Sequence, residues 1–323
     1  MTKLERILVT RTPLALLIRK SKHWYLPGFK GVPLYDVVKF FRKQIKTTGL
    51  SERASAIAFN FVMSLPPAFL FLFTIIPHLP FFHKKDILAQ LNTFIRDIIP
   101  AEGYNGSIYT FIKLNFFGTP KFGLISFGLI LALFFASNAM MGIMRSFNKN
   151  YVGFARRHGL EKRWVAIKLT SLLFGLVLAC FILLLAQSSV LNWLNIKNKA
   201  LKDAIVYGRW VFIIALIFFS IAFIYKYAPA VHKRWKILSP GSILATTLSF
   251  LATWGFSGFV NSFGKYNILY GAIGTVIVIM AIIFINSLVL LIGFELNVSI
   301  NSLKHIAEER ETAEKITVAK QNP

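Results

Sequence analysis

The sequence has little of what soluble enzymes and secreted domains are built on. Only 15% of its 323 residues are charged, against about 25% in ordinary soluble domains. A single cysteine, Cys180, lies inside an apolar run. Alone it excludes an intramolecular disulfide and a thiolate zinc site, and it reads as a small buried hydrophobe. Acidic residues number 13, and Asp36, Glu52, Asp86, Asp97, Glu102, Glu161 and Asp203 are scattered over different loops and opposite membrane sides. A two-metal nuclease needs clustered carboxylates at the phosphate, and that scatter does not supply them. Of six histidines, His78 and His83 are near one another but have no evident third ligand. There is no G-x-x-x-x-G-K-S/T loop, no G-x-S-x-G elbow and no H-E-x-x-H pair, so ATP-driven pumping, serine hydrolysis and zincin chemistry have no anchor. The expectation is no catalytic residue, no metal, no cofactor and no enzyme.

What is present is apolar. The hydrophobic share is 55%, with 32 Phe, and the mean hydropathy is +0.60. A soluble fold could not cover that much apolar side chain, because over half of any folded surface already faces water as apolar atoms. Charge-free runs occupy 54–83, 122–144, 169–196, 210–225, 237–264 and 266–294. A hydrocarbon core of about 30 Å needs roughly 20 helical residues. The 16-residue fourth run can span if Arg209 and Lys226 snorkel. The fold class is therefore all-α, a polytopic membrane protein of six transmembrane helices.

The net charge of +24 would suggest nucleic acid in a soluble chain. Its distribution says otherwise. The segments before the first run, between the second and third, between the fourth and fifth, and after the sixth hold 27 Lys and Arg; the alternate segments hold 10. The positive-inside rule makes the richer side cytoplasmic and places both termini there. The expected partners are anionic lipid headgroups at that face and a second copy of the chain, not nucleic acid. The chain divides into a cytoplasmic N-terminal region (1–49), the transmembrane domain (50–300) and a charged tail (301–323). The apolar stretch at 14–18 is too short for a cleavable signal.

Two further segments read as amphipathic helices. Over 34–46, Leu34, Val37, Val38, Phe41 and Ile45 share about 100° of arc, with Lys39, Arg42, Lys43 and Lys46 opposite. This is the pattern of a basic helix on the inner surface or docked on its own loops. On the outer side, 86–98 repeats it more weakly, ahead of Pro100. The tail reads as a short solvated helix that frays.

Polar groups in hydrocarbon are costly and mark candidate sites. Pro66 and Pro67 lie mid-depth in the first run and should kink or break it, either for packing or as a transporter-type discontinuity. The fifth run carries Ser242, Thr246, Ser249, Thr253, Ser257 and Asn261, within about 120° of arc at 100° per residue. That stripe either packs helices or lines a conduit. Gly128, Ala132 and Ala136 offer close approach on the second span. At the cytoplasmic end Arg53 opens the first span and Arg145 closes the second, with Asn60 and Asn138 seven residues inward. Glu295 is the lone acid in LVLLIGFELNVSI. It stays ionised only with a partner, so it pairs with Arg53 or Arg145, or reaches headgroup water.

Three blocks carry a family resemblance: LSERASAIAF at 50–59, running on to Pro66; MRSFNKNY at 144–151, which contains Asn148; and a long third block. The third runs from YAP at 227–229 and SPG at 239–241 to YNILYG at 266–271, with Tyr270 and Gly271, and closes on LIGFELN at 291–297. In order and spacing the chain resembles the YihY/BrkB family of bacterial inner-membrane proteins, formerly labelled ribonuclease BN, from about residue 34 to 300. Phe294 stands where that family often has a small residue. The resemblance implies an envelope role for which transport has been suggested, and it brings no catalytic residue. The functional expectation is a transporter-like protein for lipid or anionic solutes, the alternative a membrane scaffold.

Overall fold

The structure, a computed structural model, describes residues 20–75, 110, 113–114, 122–148, 157, 159–193, 199–231, 234–262 and 266–321. The expected outer-side helix at 86–98 and the stretch at 14–18 lie outside them, as do the side chains of Cys180, Asn261, Tyr270 and Gly271. The described residues form seven helices and no strand. They are α1 (Leu34–Thr47), α2 (Leu50–Ile75), α3 (Phe122–Phe147), α4 (Gly159–Trp193), α5 (Lys199–Tyr227), α6 (Pro240–Ser262) and α7 (Tyr266–Gln321). Each charge-free run has its helix. Among the described residues three stretches are long and apolar enough to cross a membrane, Ser126–Phe147, Pro240–Phe259 and Val276–Arg310, and Val211–Tyr227 is a shorter apolar helix.

The helices pack as a closed ring. α2 packs on α3, α3 on α4, α4 on α5, α5 on α6, α6 on α7, and α7 back on α2. The core occupies the end of the ring next to the basic segments. Ala54 and Ile57 of α2 meet Ile143 and Met144 of α3, Ala166 of α4, Tyr225 of α5, Ala245 of α6, and Leu291 and Phe294 of α7. On α6 and α7 two glycines allow this. A Cβ on Gly241 would lie 2.1 Å from the carbonyl oxygen of Gly293, and one on Gly293 would lie 2.5 Å from that of Gly241. Only backbones without side chains come this close.

Three expectations change in detail. α2 continues through Pro66 and Pro67, so the prolines do not break it; transmembrane helices absorb proline where neighbouring groups re-satisfy the freed backbone. The tail is not a separate short helix. α7 runs unbroken from Tyr266 to Gln321, because no glycine or proline follows Gly293 before its end. Contacts between Lys304 and Glu308, and between His305 and Glu309, both 3.2 Å, brace its exposed part. At 1.5 Å per residue its 56 residues extend about 84 Å, well beyond a bilayer. Finally, α1 spends part of its apolar stripe on its own chain. Val37 is fully buried in a cluster with Phe29, Val32 and Ile300, whereas Val38 is 51% exposed.

Candidate functional site

Arg53 lies near the start of α2 and Glu295 within α7. Arg53 Nη1 donates to Glu295 Oε1 at 2.7 Å. Arg53 is 7% exposed and Glu295 fully buried. Arg53 Nη2 also donates to the carbonyl of Ser146, so one guanidinium ties α2, α3 and α7 together. Of the two arginines considered for Glu295, the structure selects Arg53; Arg145 is exposed. A charge pair this deep owes its existence to mutual compensation, because removing either partner strands the other in a medium of low polarity.

An aromatic cluster lies in the same buried core. The Phe294 ring stacks on Phe147, with centroids 3.8 Å apart and planes 2° off parallel, and Tyr225 and Trp235 close the sides. Tyr225 Oη donates to the carbonyl of Leu290 at 2.6 Å, satisfying the one polar atom of that ring.

α7 presents a second face to α6. Asn286, Gly293 and Asn297 are spaced by seven and four residues and so share one side of a helix, with Glu295 on another, at about 100° per residue. Asn297 Oδ1 accepts from Gly241 N and its Nδ2 donates to Ser239 Oγ, both at 2.9 Å. Ser242 N is in turn capped by Ser239 Oγ at 3.2 Å. The first donors of α6 are thus satisfied by side chains. Asn286 bonds Ser249 and donates to Thr253 Oγ1 at 3.2 Å. Ser242 and Thr246 are buried and bonded within their own chain. Ser249 and Thr253 of the stripe thus join α6 to α7, whereas Ser257, farther along, is exposed.

The remaining candidates are dispersed. Asn60 bonds the carbonyl of Ala56 at 2.7 Å and rests against Gly142 of α3. Asn138 accepts from Arg163 of α4, whose guanidinium also lies 4.5 Å from the Phe134 ring centroid. Asn148 accepts from Ala230 N at 3.1 Å and so pins the turn after α5. That turn is also held by Arg157, which donates to the carbonyls of Ala228 and Pro229 at 3.0 and 3.3 Å. This is a cation on the orphan carbonyls of a helix C-terminus. Burial lowers the pKa of Arg157, with Glu161 partly offsetting that and Arg234 adding to it.

Arg157, Arg163 and Asn286 were not singled out from sequence, and Ser239 and Asn297 entered only within the blocks that carry the resemblance. The asparagines had a usable signal: they share the face of α7 that carries Gly293. Among the described residues no three His, Cys, Asp or Glu side chains come together as a metal site.

Comparison with known proteins fits this arrangement. The family model described as "Virulence factor BrkB" matches residues 41–317. The chain belongs to the BrkB family. The ribonuclease-like protein YfkH of Bacillus subtilis is 26% identical over 264 residues, covering 80% of this chain and 92% of that protein. A UPF0761 membrane protein of Tolumonas auensis is 24% identical over 292 residues, 89% of this chain and 92% of its own. Another, from Vibrio parahaemolyticus, is 22% identical over 277 residues and 84% of each chain. No solved structure gives a significant match. With its apolar helices, this BrkB-family chain is a membrane protein.

Proposed function

We propose that the chain is a six-span protein of the bacterial inner membrane with both termini cytoplasmic, and that it has a transporter-like, non-enzymatic role toward anionic solutes or lipids. The observation that carries this reading is the Arg53–Glu295 pair and its hold on Ser146. It locks three helices at the basic end with one compensated charge. A closure that opens when a single pair separates is the two-state contact that alternating access requires. Away from that end the ring is looser. No described side chain over 211–220, 247–259 or 276–286 is buried. The excess of Lys and Arg on the cytoplasmic side favours anions over cations.

A scaffold for partner proteins, or for a second copy, is the other reading. The hydrogen-bonded contact of Asn286 with Ser249 and Thr253 supports it, because it joins two helices through those hydroxyls. Flux measurements on proteoliposomes separate the two. Wild-type protein and Glu295→Gln are compared for release of an anionic solute and for scrambling of a fluorescent phospholipid. Transport predicts flux that the variant raises or uncouples. No flux from either protein rejects transport and leaves the scaffold. The non-enzymatic part is tested directly: hydrolysis of RNA by the purified protein that is absent from a tag-only control would overturn it.

A further inference from the structure

Opposite sides of α1 do different things. Val37 is fully buried with Phe29, Val32 and Ile300, and this side docks α1 on α7. Opposite Val37 stand Lys39, Arg42, Lys43 and Lys46, within about 100° of arc at 100° per residue. All four are exposed. Their spacing makes Lys39 a neighbour of Arg42 and Lys43, and Lys46 a neighbour of the same two. Like charges three and four residues apart weaken a helix. The acid of α1 is Asp36, in its first turn, and among the described residues none of the four cations takes part in an ion pair. The folded chain thus presents a cationic face whose internal repulsion an anionic partner would relieve.

The loop before α1 extends that face. Tyr35 lies within the same arc, and Lys22 Nζ stands 5.3 Å from its ring centroid. Lys20 Nζ stands 5.8 Å from the centroid of the Trp24 ring, and the Trp24 carbonyl accepts from Leu34 N at 2.9 Å, which holds the loop on the start of α1. Both lysines are exposed. Trp24 and Tyr25 are 44% and 61% exposed, residue types that anchor at the membrane interface. The same loop touches the start of α6: a Cβ on Gly28 would lie 2.9 Å from Pro240 Cγ, and Pro240 opens an apolar helix long enough to span. Cations, interfacial aromatics and the start of a span thus adjoin, and their common complement is an anionic bilayer surface. Because Val37 is engaged with α7, contact with that surface is through charge and not through insertion of the apolar side of α1.

We infer that the cationic face of α1, with Lys20 and Lys22 of the loop before it, docks on the anionic phospholipid surface of the membrane that holds the chain. The inference goes beyond the proposed transport and does not depend on it. Full-length protein is placed in nanodiscs of phosphatidylcholine alone or mixed with phosphatidylglycerol, and amide hydrogen exchange of α1 is followed by mass spectrometry. Both faces of such a disc carry the same lipids, so the result is independent of orientation. Phosphatidylglycerol should slow exchange in α1 at least about fivefold, the worth of a single lysine near an anionic surface, and leave α2 unchanged. Molar salt, which cuts the screening length to about 3 Å, should erase the difference. So should the variant Lys39→Gln/Arg42→Gln/Lys43→Gln/Lys46→Gln, whose folding is checked by thermal melting. Lys20→Gln/Lys22→Gln should reduce it. Equal exchange in the two discs, or full slowing in the folded fourfold variant, overturns the docking. Slowing that survives molar salt overturns the electrostatic mode. Equal slowing by soluble polyglutamate in phosphatidylcholine discs overturns the lipid assignment in favour of an acidic protein. Orientation is read separately, by labelling Lys39→Cys from either side of the membrane in a Cys180→Ala background, so a failed topology and a failed surface give different results.

Discussion

Two adjoining stretches of α7 make different use of one helix. From Ser287 to Ser302 most side chains are buried, against α2 on one face and α6 on another; from Val276 to Asn286 none is. The same division holds on α5 and α6, whose buried residues lie at 221–230 and 239–246, and not over 211–220 or 247–259. In lipid an exposed apolar side chain carries no penalty, so association depends on close packing and polar contacts. Those devices are concentrated at the basic end: the ion pair, the reciprocal glycines, the Asn297 bridge and the stacked rings. Among the described residues the bundle is specified at the basic end, and that end bears the rigidity any gate would work against.

The largest expected effect is at the ion pair. Glu295→Gln or Arg53→Gln should destabilise the protein by about 3–5 kcal/mol, the cost of leaving a buried charge unpaired, measured by thermal or denaturant unfolding in detergent. Exchanging the two residues should recover part of the loss. A single variant as stable as wild type would mean that the basic end is not the specified one.

A smaller effect sharpens the comparison using glycine alone. Gly293→Ala forces a Cβ to 2.5 Å from the Gly241 carbonyl and from Tyr225 Oη, and overpacking of this kind costs about 1–3 kcal/mol. Gly255→Ala meets nothing within 4 Å, and it should be neutral or stabilise by up to about 1 kcal/mol through helix propensity. Equal effects in unfolding experiments would erase the distinction between the ends.

Much of this was legible in the sequence, for identifiable reasons. Hydrocarbon forbids unpaired charge, so charge-free runs located the helices. The lone acid in the last run had to find a cation, and Glu295 did. Which arginine it found was not legible. Arg53 and Arg145 both sit at the right depth, and only the packing of α2 on α3 turns one inward and leaves the other exposed. The shared face of Asn286 and Asn297 was readable from their spacing, but the helix they bond was not. Phe294, large where the resemblance suggests a small residue, became intelligible once Phe147 was found stacked on it. The prolines left open whether their helix kinks or breaks, and α2 runs through them unbroken.

The smallest expected effect lies at the surface of the packed end, where cations crowd. Burial lowers the pKa of Lys162, and Arg145 lowers it further. Lys162 precedes the apolar part of α4, so its amine is open to reagents in water. A depressed pKa means that the folded chain holds this proton less tightly than the unfolded one. The resulting penalty is fully present at neutral pH and is relieved as pH rises toward the ordinary 10.5. Arg145→Gln removes the repulsion, so the pKa of Lys162 should rise. Its acylation by an amine-reactive ester near pH 8.5 should slow, followed residue by residue by mass spectrometry, while that of the exposed Lys39 should not change. Because burial is the larger cause, the variant should recover only part of the shift. A full return to ordinary lysine reactivity would mean that Lys162 is not held down by packing at all, and that the tight end stops short of the first turn of α4.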